Sequence, residues 1–208
     1  MSVVSETLRR SGLADQLIRP LTSVQEERLI QLIDLRASWS KTHNLSGPRA
    51  LALVGTDLAD AIAVWLCHHP DLPLLDVGSG SGVPGLMVAC LTPDHPVHLV
   101  EPIAKRCAFM RTVAHKLGLA QVRVHRGRWP SETLDQIGDV IPISRAVVSP
   151  EEWPILADRP HISGVMQMLA LQRPEWPLDD YQLTQEVSYH DPEGGARLVR
   201  RWMRASTV

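Results

Sequence analysis

A short apolar run that ends in an acid and leads into a glycine loop constrains this 208-residue chain more than any other feature. The run 74–77 predicts a buried strand that holds Asp76, and four glycines follow it: Gly78, Gly80, Gly82 and Gly85. Glycine has no Cβ atom, so the backbone can turn sharply there and approach a ligand closely. Glu101 ends a second predicted strand, where its carboxylate can accept hydrogen bonds from both hydroxyls of a ribose. The pattern therefore predicts a site for an adenosine-containing cofactor.

Short apolar runs alternate with helical stretches after Pro73, which is typical of a parallel sheet with helices on both faces. Strands are predicted at 74–77, 97–100, 122–125, 140–144 and 164–171. The segments 182–189 and 197–203 flank a turn and predict an antiparallel hairpin at one edge of the sheet. The pattern of the first 70 residues predicts helices. One of them is expected over about 24–40, where it follows the capping box Ser23-Val24-Gln25-Glu26. We expect an α/β, Rossmann-like fold with a helical extension (1–70) and a core (71–208).

Composition excludes several classes of protein. No apolar run approaches the roughly 20 residues of a membrane helix, and the N-terminus lacks a secretory-signal pattern, so we expect a cytoplasmic protein with no membrane partner. The three cysteines are widely spaced, which predicts free buried thiols. His68-His69 and the pair His95 and His98 lack further ligands at the spacing of a metal site, so we expect no metal.

Positive charge is concentrated in two acid-free segments, although the formal net charge is only −2. The segment 102–131 carries seven basic residues, and the C-terminus carries four more: Arg197, Arg200, Arg201 and Arg204. A local basic field attracts a polyanion within a Debye length, whatever the net charge. The pattern is typical of nucleic-acid binding, and the alternative is two solvated faces without a ligand.

Two cofactor templates match the glycine loop. Residues 80–85 form G-x-G-x-x-G with Glu101 further on, which is the fingerprint of dinucleotide binding. Residues 76–82 form D-x-G-x-G-x-G, which is typical of enzymes that use S-adenosylmethionine (SAM). SAM carries a sulfonium and an ammonium group but no phosphate, so the Asp76 carboxylate favours it and would repel a pyrophosphate. We therefore expect SAM, with an NAD-dependent oxidoreductase as the alternative.

The chain lacks two devices that common methyltransferases use. It has no Pro-Pro pair of the kind that holds exocyclic amines of bases, and no cysteine in the setting of a pyrimidine carbon-5 nucleophile. A ring nitrogen such as guanine N7 bears no proton that must be removed, so its methylation needs alignment more than a general base. A ring-nitrogen acceptor is therefore favoured.

The order and spacing of five segments resemble the bacterial ribosomal RNA small subunit methyltransferase G family, also called glucose-inhibited division protein B. The segments are 39–46, which contains W-x-K-x-x-N-L, and 75–85, 105–111, 127–128 and 144–146. The resemblance implies SAM-dependent methylation of N7 of a guanine in small-subunit (16S) ribosomal RNA. It also implies a SAM-dependent methyltransferase fold with a helical N-terminal extension. Whether free RNA or the assembled subunit is the partner stays open.

The resemblance implies roles for individual residues. Gly78 and Val83 would line the methionine and adenosine parts of SAM, and Arg145 is the candidate catalytic residue near the reacting centre. The whole cofactor site is expected to comprise Asp76, Gly78, Gly80, Val83, Glu101, Trp129, Pro130 and Arg145. The expected RNA contacts are Lys41, Lys105, Arg106 and Arg197.

The chain also departs from the family pattern. Trp129-Pro130 stand where the family usually has a small residue and a glutamate, so recognition of the adenine is expected to be rearranged. Asp57 stands where a histidine is common, although Asp60 is retained, and the C-terminal third matches poorly. A non-catalytic protein that keeps the SAM fold and binds RNA is therefore the second alternative.

Overall fold

The N-terminal third of the protein is helical in the computed structural model, which describes residues 1–43, 52–131, 137–145, 147–170, 176–192 and 194–205. Helix α1 (Val3–Ser11) begins at Ser2, whose hydroxyl accepts the Ser5 amide at 3.1 Å, and ends at Gly12, where φ is 72°. Helices α2 (Ser23–His43) and α3 (Val54–Cys67) follow. Pro48, a residue type that suits the first turn of a helix, suggests a helix start that lies outside the described residues.

The capping box of α2 lies one residue earlier than the predicted one. The Thr22 amide donates to Oε1 of Gln25 at 2.8 Å, and the Gln25 amide donates to Oγ1 of Thr22 at 3.2 Å. The four-residue segments 22–25 and 23–26 both fit the capping-box pattern, in which a serine or threonine is followed three positions later by glutamate or glutamine. The prediction of Ser23 as the cap is therefore wrong by one position.

Four parallel strands form the sheet that positions the site: β1 (Leu74–Val77), β2 (Val97–Glu101), β3 (Val122–Arg126) and β4 (Ile141–Ile143). Their order across the sheet is β3-β2-β1-β4, and the register places Val77 beside Val100. Helix α4 (Gly85–Leu91) follows β1, and helix α5 (Ala104–Lys116) follows β2. The predicted strand–helix alternation is confirmed, and every strand of this sheet ends at the same edge.

The remaining strands form an antiparallel sheet of order β5-β7-β6, made by β5 (Gly164–Leu169), β6 (Tyr181–His190) and β7 (Ala196–Arg204). The turn between β6 and β7 closes with the Gly194 amide donating to the Asp191 carbonyl at 2.7 Å. The predicted hairpin is confirmed, but it pairs with β5 in this separate sheet and not with an edge of the parallel sheet. A short helix, α6 (Trp153–Ala157), precedes β5. Strand β5 lies beside β4, where a Cβ atom on Gly164 would approach Cδ1 of Ile141 to 2.9 Å. The two sheets therefore meet along β4 and β5.

Apolar side chains cover both faces of the parallel sheet. One cluster joins the sheet to α1–α5, so Val4 of the N-terminal extension and Met87 of the core belong to the same packed interior. A second cluster on the opposite face contains Leu75, Trp129 and Trp153. Cys67, Cys90 and Cys107 are buried free thiols, as predicted. Within the described ranges, no helix has the length and apolarity to cross a membrane, and no cluster of three or more potential ligands could hold a metal ion.

Candidate active site

The glycine loop after β1 has the sharp backbone that its sequence predicts. Gly78, Gly80 and Gly82 have φ values of 73°, 57° and 86°, in the left-handed region that glycine favours. The amides of Gly78 and Ser79 both donate to the Val100 carbonyl, at 2.9 and 3.1 Å, and so tie the loop to the end of β2. A Cβ atom on Gly78 would lie 2.3 Å from Cγ2 of Val147, so a larger residue does not fit there.

Asp76 lies under this loop and is only 1% exposed. Its Oδ2 accepts the Gly85 amide at 2.9 Å, and its main-chain oxygen accepts the Ser79 hydroxyl at 2.7 Å. The other carboxylate oxygen has no hydrogen-bond partner in the part of the chain that the structure describes. Burial raises the pKa of Asp76 from 3.8 to about 6, because the charged form is desolvated. Asp76 therefore joins the end of β1 to the start of α4 from beneath the loop.

A cavity of about 300 Å³ opens where β1 and β2 end. Its walls come from the glycine loop, the residues after β2, the residues after β3 and the segment after β4. The lining includes Gly78, Glu101, Arg106, Arg128, Trp129 and Val147. Three of the predicted cofactor residues therefore line one cavity. The remaining five, Asp76, Gly80, Val83, Pro130 and Arg145, are not part of its lining.

Glu101 is 2% exposed and links three parts of this cavity. Its Oε2 accepts the Gly80 amide at 3.0 Å, and its Oε1 accepts the Ile103 amide at 2.9 Å. Nη1 of Arg106 lies 3.7 Å from Oε1. A carboxylate oxygen can accept two hydrogen bonds, so each Glu101 oxygen keeps capacity for a further donor.

Trp129 provides a flat apolar wall of the cavity and is 7% exposed. Its indole Nε1 is buried and donates to no acceptor among the described residues. Buried donors are rarely left unpaired in folded proteins, because each one loses its hydrogen bond to water. Trp129 therefore contributes the apolar part of its side chain to the cavity wall.

Arg145 follows β4 by two residues and makes an ion pair that the sequence did not predict. Its guanidinium contacts Oδ1 of Asp57, and its Nη1 lies 3.5 Å from Oδ2 of Asp60. Asp57 also accepts Nη1 of Arg36 at 2.5 Å through its other oxygen. The candidate catalytic arginine is therefore bound to the N-terminal helices, with its side chain one-third exposed.

The four predicted RNA-contacting residues lie in different surroundings. Lys41 and Lys105 are exposed, on α2 and α5. Arg106 lies in the cavity wall near Glu101. Arg197 pairs with Asp191 at 2.7 Å and lies 3.6 Å from Asp60. Two of the four are therefore exposed on helices, and the other two lie beside acidic side chains.

A broader basic face lies on α5, β3 and the residues after β3. Its members are exposed and form no ion pair among the described residues: Arg111, Lys116, Arg123, Arg126 and Arg128. The C-terminal arginines differ, because Arg200 pairs with Glu186 at 2.8 Å and Arg204 pairs with Asp158. Five exposed basic residues without an ion pair in the described part of the chain therefore lie within 111–128.

A sequence model of the family described as rRNA small subunit methyltransferase G matches residues 25–189, which is most of the chain. This chain belongs to that family.

Individual relatives named ribosomal RNA small subunit methyltransferase G agree with this assignment. The protein of Wolinella succinogenes is 35% identical over 144 residues, which cover 69% of this chain and 73% of the relative. The protein of Nitrosomonas europaea is 35% identical over 127 residues, 61% of this chain and 58% of the relative. The protein of Methylobacillus flagellatus is 37% identical over 54% of this chain and 55% of the relative. The matched part thus spans little more than half the length of the last two relatives.

Solved structures share the fold at low identity. An O-methyltransferase from Bacillus cereus, solved in complex with SAH, matches with a TM-score of 0.54 and 12% identity, over 98% of this chain and 100% of that one. TYW2 of Pyrococcus horikoshii, solved in complex with MeSAdo, has a TM-score of 0.52 and 12% identity, over 73% of this chain and 64% of that one. These similarities establish a Rossmann-like methyltransferase fold.

In this member of the methyltransferase G family, sequence reasoning missed the partners of Arg145. Asp57 and Asp60 are the only charged residues of α3, which is otherwise largely apolar. Residues three apart on a helix lie on one face, so two acids in an apolar helix were a signal for buried cationic partners. No local sequence pattern indicates which residues these partners are. In the structure they are Arg36 on α2 and Arg145 after β4. Part of the motif 39–46 that carries the resemblance lies outside the described residues.

Proposed function

We propose that this protein transfers the methyl group of SAM to N7 of a guanine in small-subunit (16S) ribosomal RNA. The observation that carries the proposal is the cavity at the ends of β1 and β2, in a chain of the methyltransferase G family. In an open parallel sheet, ligands bind at the carboxyl ends of the strands. The cavity lies at that edge, with the glycine loop and Glu101 as two of its walls.

The residues present suit the parts of SAM. Glu101 keeps acceptor capacity for the ribose hydroxyls, and Gly78 leaves backbone open for the methionine part. Trp129 offers an apolar aromatic face, which matches the flat ring of adenine. Gly80, Val83 and Pro130 would support these residues from outside the cavity lining. Bound SAM supplies a methyl group activated by its sulfonium.

The cavity suits an acceptor that needs no deprotonation. None of the described residues that line it is a histidine or a cysteine, and the Glu101 carboxylate already accepts two backbone amides. Asp76 lies beneath the loop and outside the lining. The protein therefore contributes alignment and exclusion of water, which suffices for N7 because its lone pair is free to attack. Arg145, held after β4, would contact SAM near the reacting centre.

The basic face on α5 and β3 would hold the RNA backbone. Phosphate contacts position an RNA, whereas an unstacked base and the local RNA shape supply specificity. Lys105 extends this face towards the cavity, and Lys41 would add charge from α2. Arg106 would contact RNA at the rim of the cavity. Arg197 would contact RNA only through the part of its side chain that its ion pairs with Asp191 and Asp60 leave free. We further propose that the protein acts in the cytoplasm, on the free RNA or on the assembled subunit. We also propose that the chain is divided into a helical extension at 1–70 and a methyltransferase core at 71–208.

Calorimetric titration with SAM and with NADH tests the cofactor. The proposal expects binding of SAM, lost in Glu101→Gln, and no binding of NADH. Glu6→Gln is the matched control, because Glu6 is a half-buried acid on α1 whose ion pair among the described residues is with Arg9. Binding of NADH alone would favour the oxidoreductase alternative.

Mass mapping of 16S RNA after incubation with the protein and labelled SAM tests the reaction. The expected product is a single 7-methylguanine, formed on free RNA, on subunits or on both. Binding of SAM and RNA without transfer to either substrate would favour the non-catalytic alternative.

A further inference from the structure

The helix α3 buries two carboxylates on one face. Asp57 is 2% exposed and Asp60 is 1% exposed, and both lie among side chains such as Leu58 and Ile62 that are fully buried. Transfer of an ionised carboxylate from water into such surroundings costs several kcal/mol unless a cation accompanies it. Each acid therefore requires a partner, and the identity of the partner shows what the acid does.

Asp57 has two partners, one on each oxygen. Oδ2 accepts Nη1 of Arg36 at 2.5 Å, and the Arg36 residue is 2% exposed. Oδ1 accepts Nη1 of Arg145. The same Nη1 lies 3.5 Å from Oδ2 of Asp60, so the pair between Arg145 and Asp57 also brings a cation to the second buried acid. It fixes a residue from another part of the fold.

The fixed residue is the one that follows β4. Arg145 keeps one-third of its side chain exposed, and only its Nη1 has partners among the described residues. Its Nη2 and Nε groups are left free to donate to a ligand. A guanidinium on a flexible side chain would otherwise sample many rotamers, and holding it by one end removes that freedom.

We propose that Asp57 is a positioning residue, which together with Arg36 holds Arg145 in the orientation needed at the carboxyl edge of the sheet. This inference rests on the proposed function, because the contact it prepares is the one between Arg145 and the reacting centre. It also makes α2 and α3 part of the active site.

A double-mutant cycle of methyl transfer tests the proposal. Asp57→Asn keeps the shape of the side chain but removes its charge, and we expect kcat to fall at least tenfold while KM for RNA stays within about twofold. In an Arg145→Gln background, Asp57→Asn should cause no further loss, because its effect passes through Arg145. Equal losses of kcat in both backgrounds would overturn the proposal. Leu119→Ala, a substitution at a buried position between α5 and β3, outside the elements that carry these charges, controls for destabilisation alone.

Asp57→Glu covers the case in which Asp57→Asn does not fold. It keeps the charge and moves the carboxylate by one methylene, so we expect a reduced kcat that again depends on Arg145. If Asp57→Glu also lowers kcat in the Arg145→Gln background, Asp57 does not act through Arg145, and the positioning role is refuted.

An NMR measurement separates this inference from the proposed function. The Nε–H signal of Arg145, assigned from its absence in Arg145→Gln, should be sharp in the wild-type protein and broadened or lost in Asp57→Asn. The measurement needs no RNA and no methyl transfer. An unchanged signal would overturn the positioning role even in an active enzyme, whereas the absence of transfer by the wild type would overturn only the proposed function.

Discussion

Replacing Asp76 with asparagine should change how the stability of the protein depends on pH. Burial raises the pKa of Asp76 from 3.8 to about 6 in the folded protein, and one pKa unit corresponds to about 1.4 kcal/mol. The ionised carboxylate therefore lowers the free energy of unfolding by about 3 kcal/mol near pH 7. Below about pH 3.5 the Asp76 carboxyl is mostly protonated in both the folded and the unfolded state, so this reduction in the free energy of unfolding disappears.

The sign follows from proton binding. Between about pH 4 and pH 6 the folded state binds more protons at Asp76 than the unfolded state does, so this group makes stability fall as pH rises. Asp76→Asn lacks the effect, and its stability relative to wild type should rise by roughly 2 kcal/mol from pH 4 to pH 7. The amide oxygen can still accept the Gly85 amide. Any cost of the unpaired NH₂ group is independent of pH and shifts the whole curve without changing its slope.

Urea unfolding at a series of pH values measures this difference directly, because all other titrating groups cancel between the two proteins. Asp94→Asn, which removes an exposed carboxylate before β2, is the matched control. The free energy of unfolding of Asp76→Asn relative to wild type could instead stay constant with pH, or change in the same way as that of Asp94→Asn. Either result would show that the Asp76 carboxylate is not desolvated beneath the loop.

Three further predictions follow from single positions. Gly78→Ala should weaken SAM binding at least tenfold in calorimetry, whereas Gly12→Ala, which has a similar φ but open space around it, should leave binding unchanged. Arg123→Gln should lower RNA affinity and reduce the slope of log affinity against log salt by about 1, measured by filter binding, while Arg9→Gln should not. Burial raises the pKa of Cys90 to about 12, so iodoacetamide should leave it unmodified at pH 8 until the protein is unfolded, as mass spectrometry would show.

The parallel half of the fold was predictable because its signals are local. The apolar run 74–77, the glycine loop and the next run at 97–101 each carry their own pattern, and the structure has strands at both places. Strand β5 was predictable as a strand but not in its pairing. It pairs antiparallel with β7 and not within the parallel sheet, because the partner of an apolar strand depends on the tertiary arrangement and not on the run itself.

The cofactor cavity was predictable in part for the same reason. Gly78 and Glu101 lie at the ends of strands that the alternation predicts, so their proximity follows from the topology. The detail of Asp76 did not follow, because a carboxylate at a strand end can face a ligand or cap a neighbouring helix. The hydrogen bond to Gly85 shows the second arrangement in this structure.

The surroundings of Arg145 could not be predicted, because they depend on pairing between distant segments. Asp57 joins Arg36 on α2 to Arg145 after β4, and Asp60 lies between Arg145 and Arg197 of the hairpin. Buried charges of this kind do little for stability by themselves, since the cost of desolvation offsets much of the attraction. They do fix which segments meet and in what orientation. The extension at 1–70 and the hairpin therefore do more than cover the sheet, because both take part in fixing the arginine on which the proposed chemistry depends.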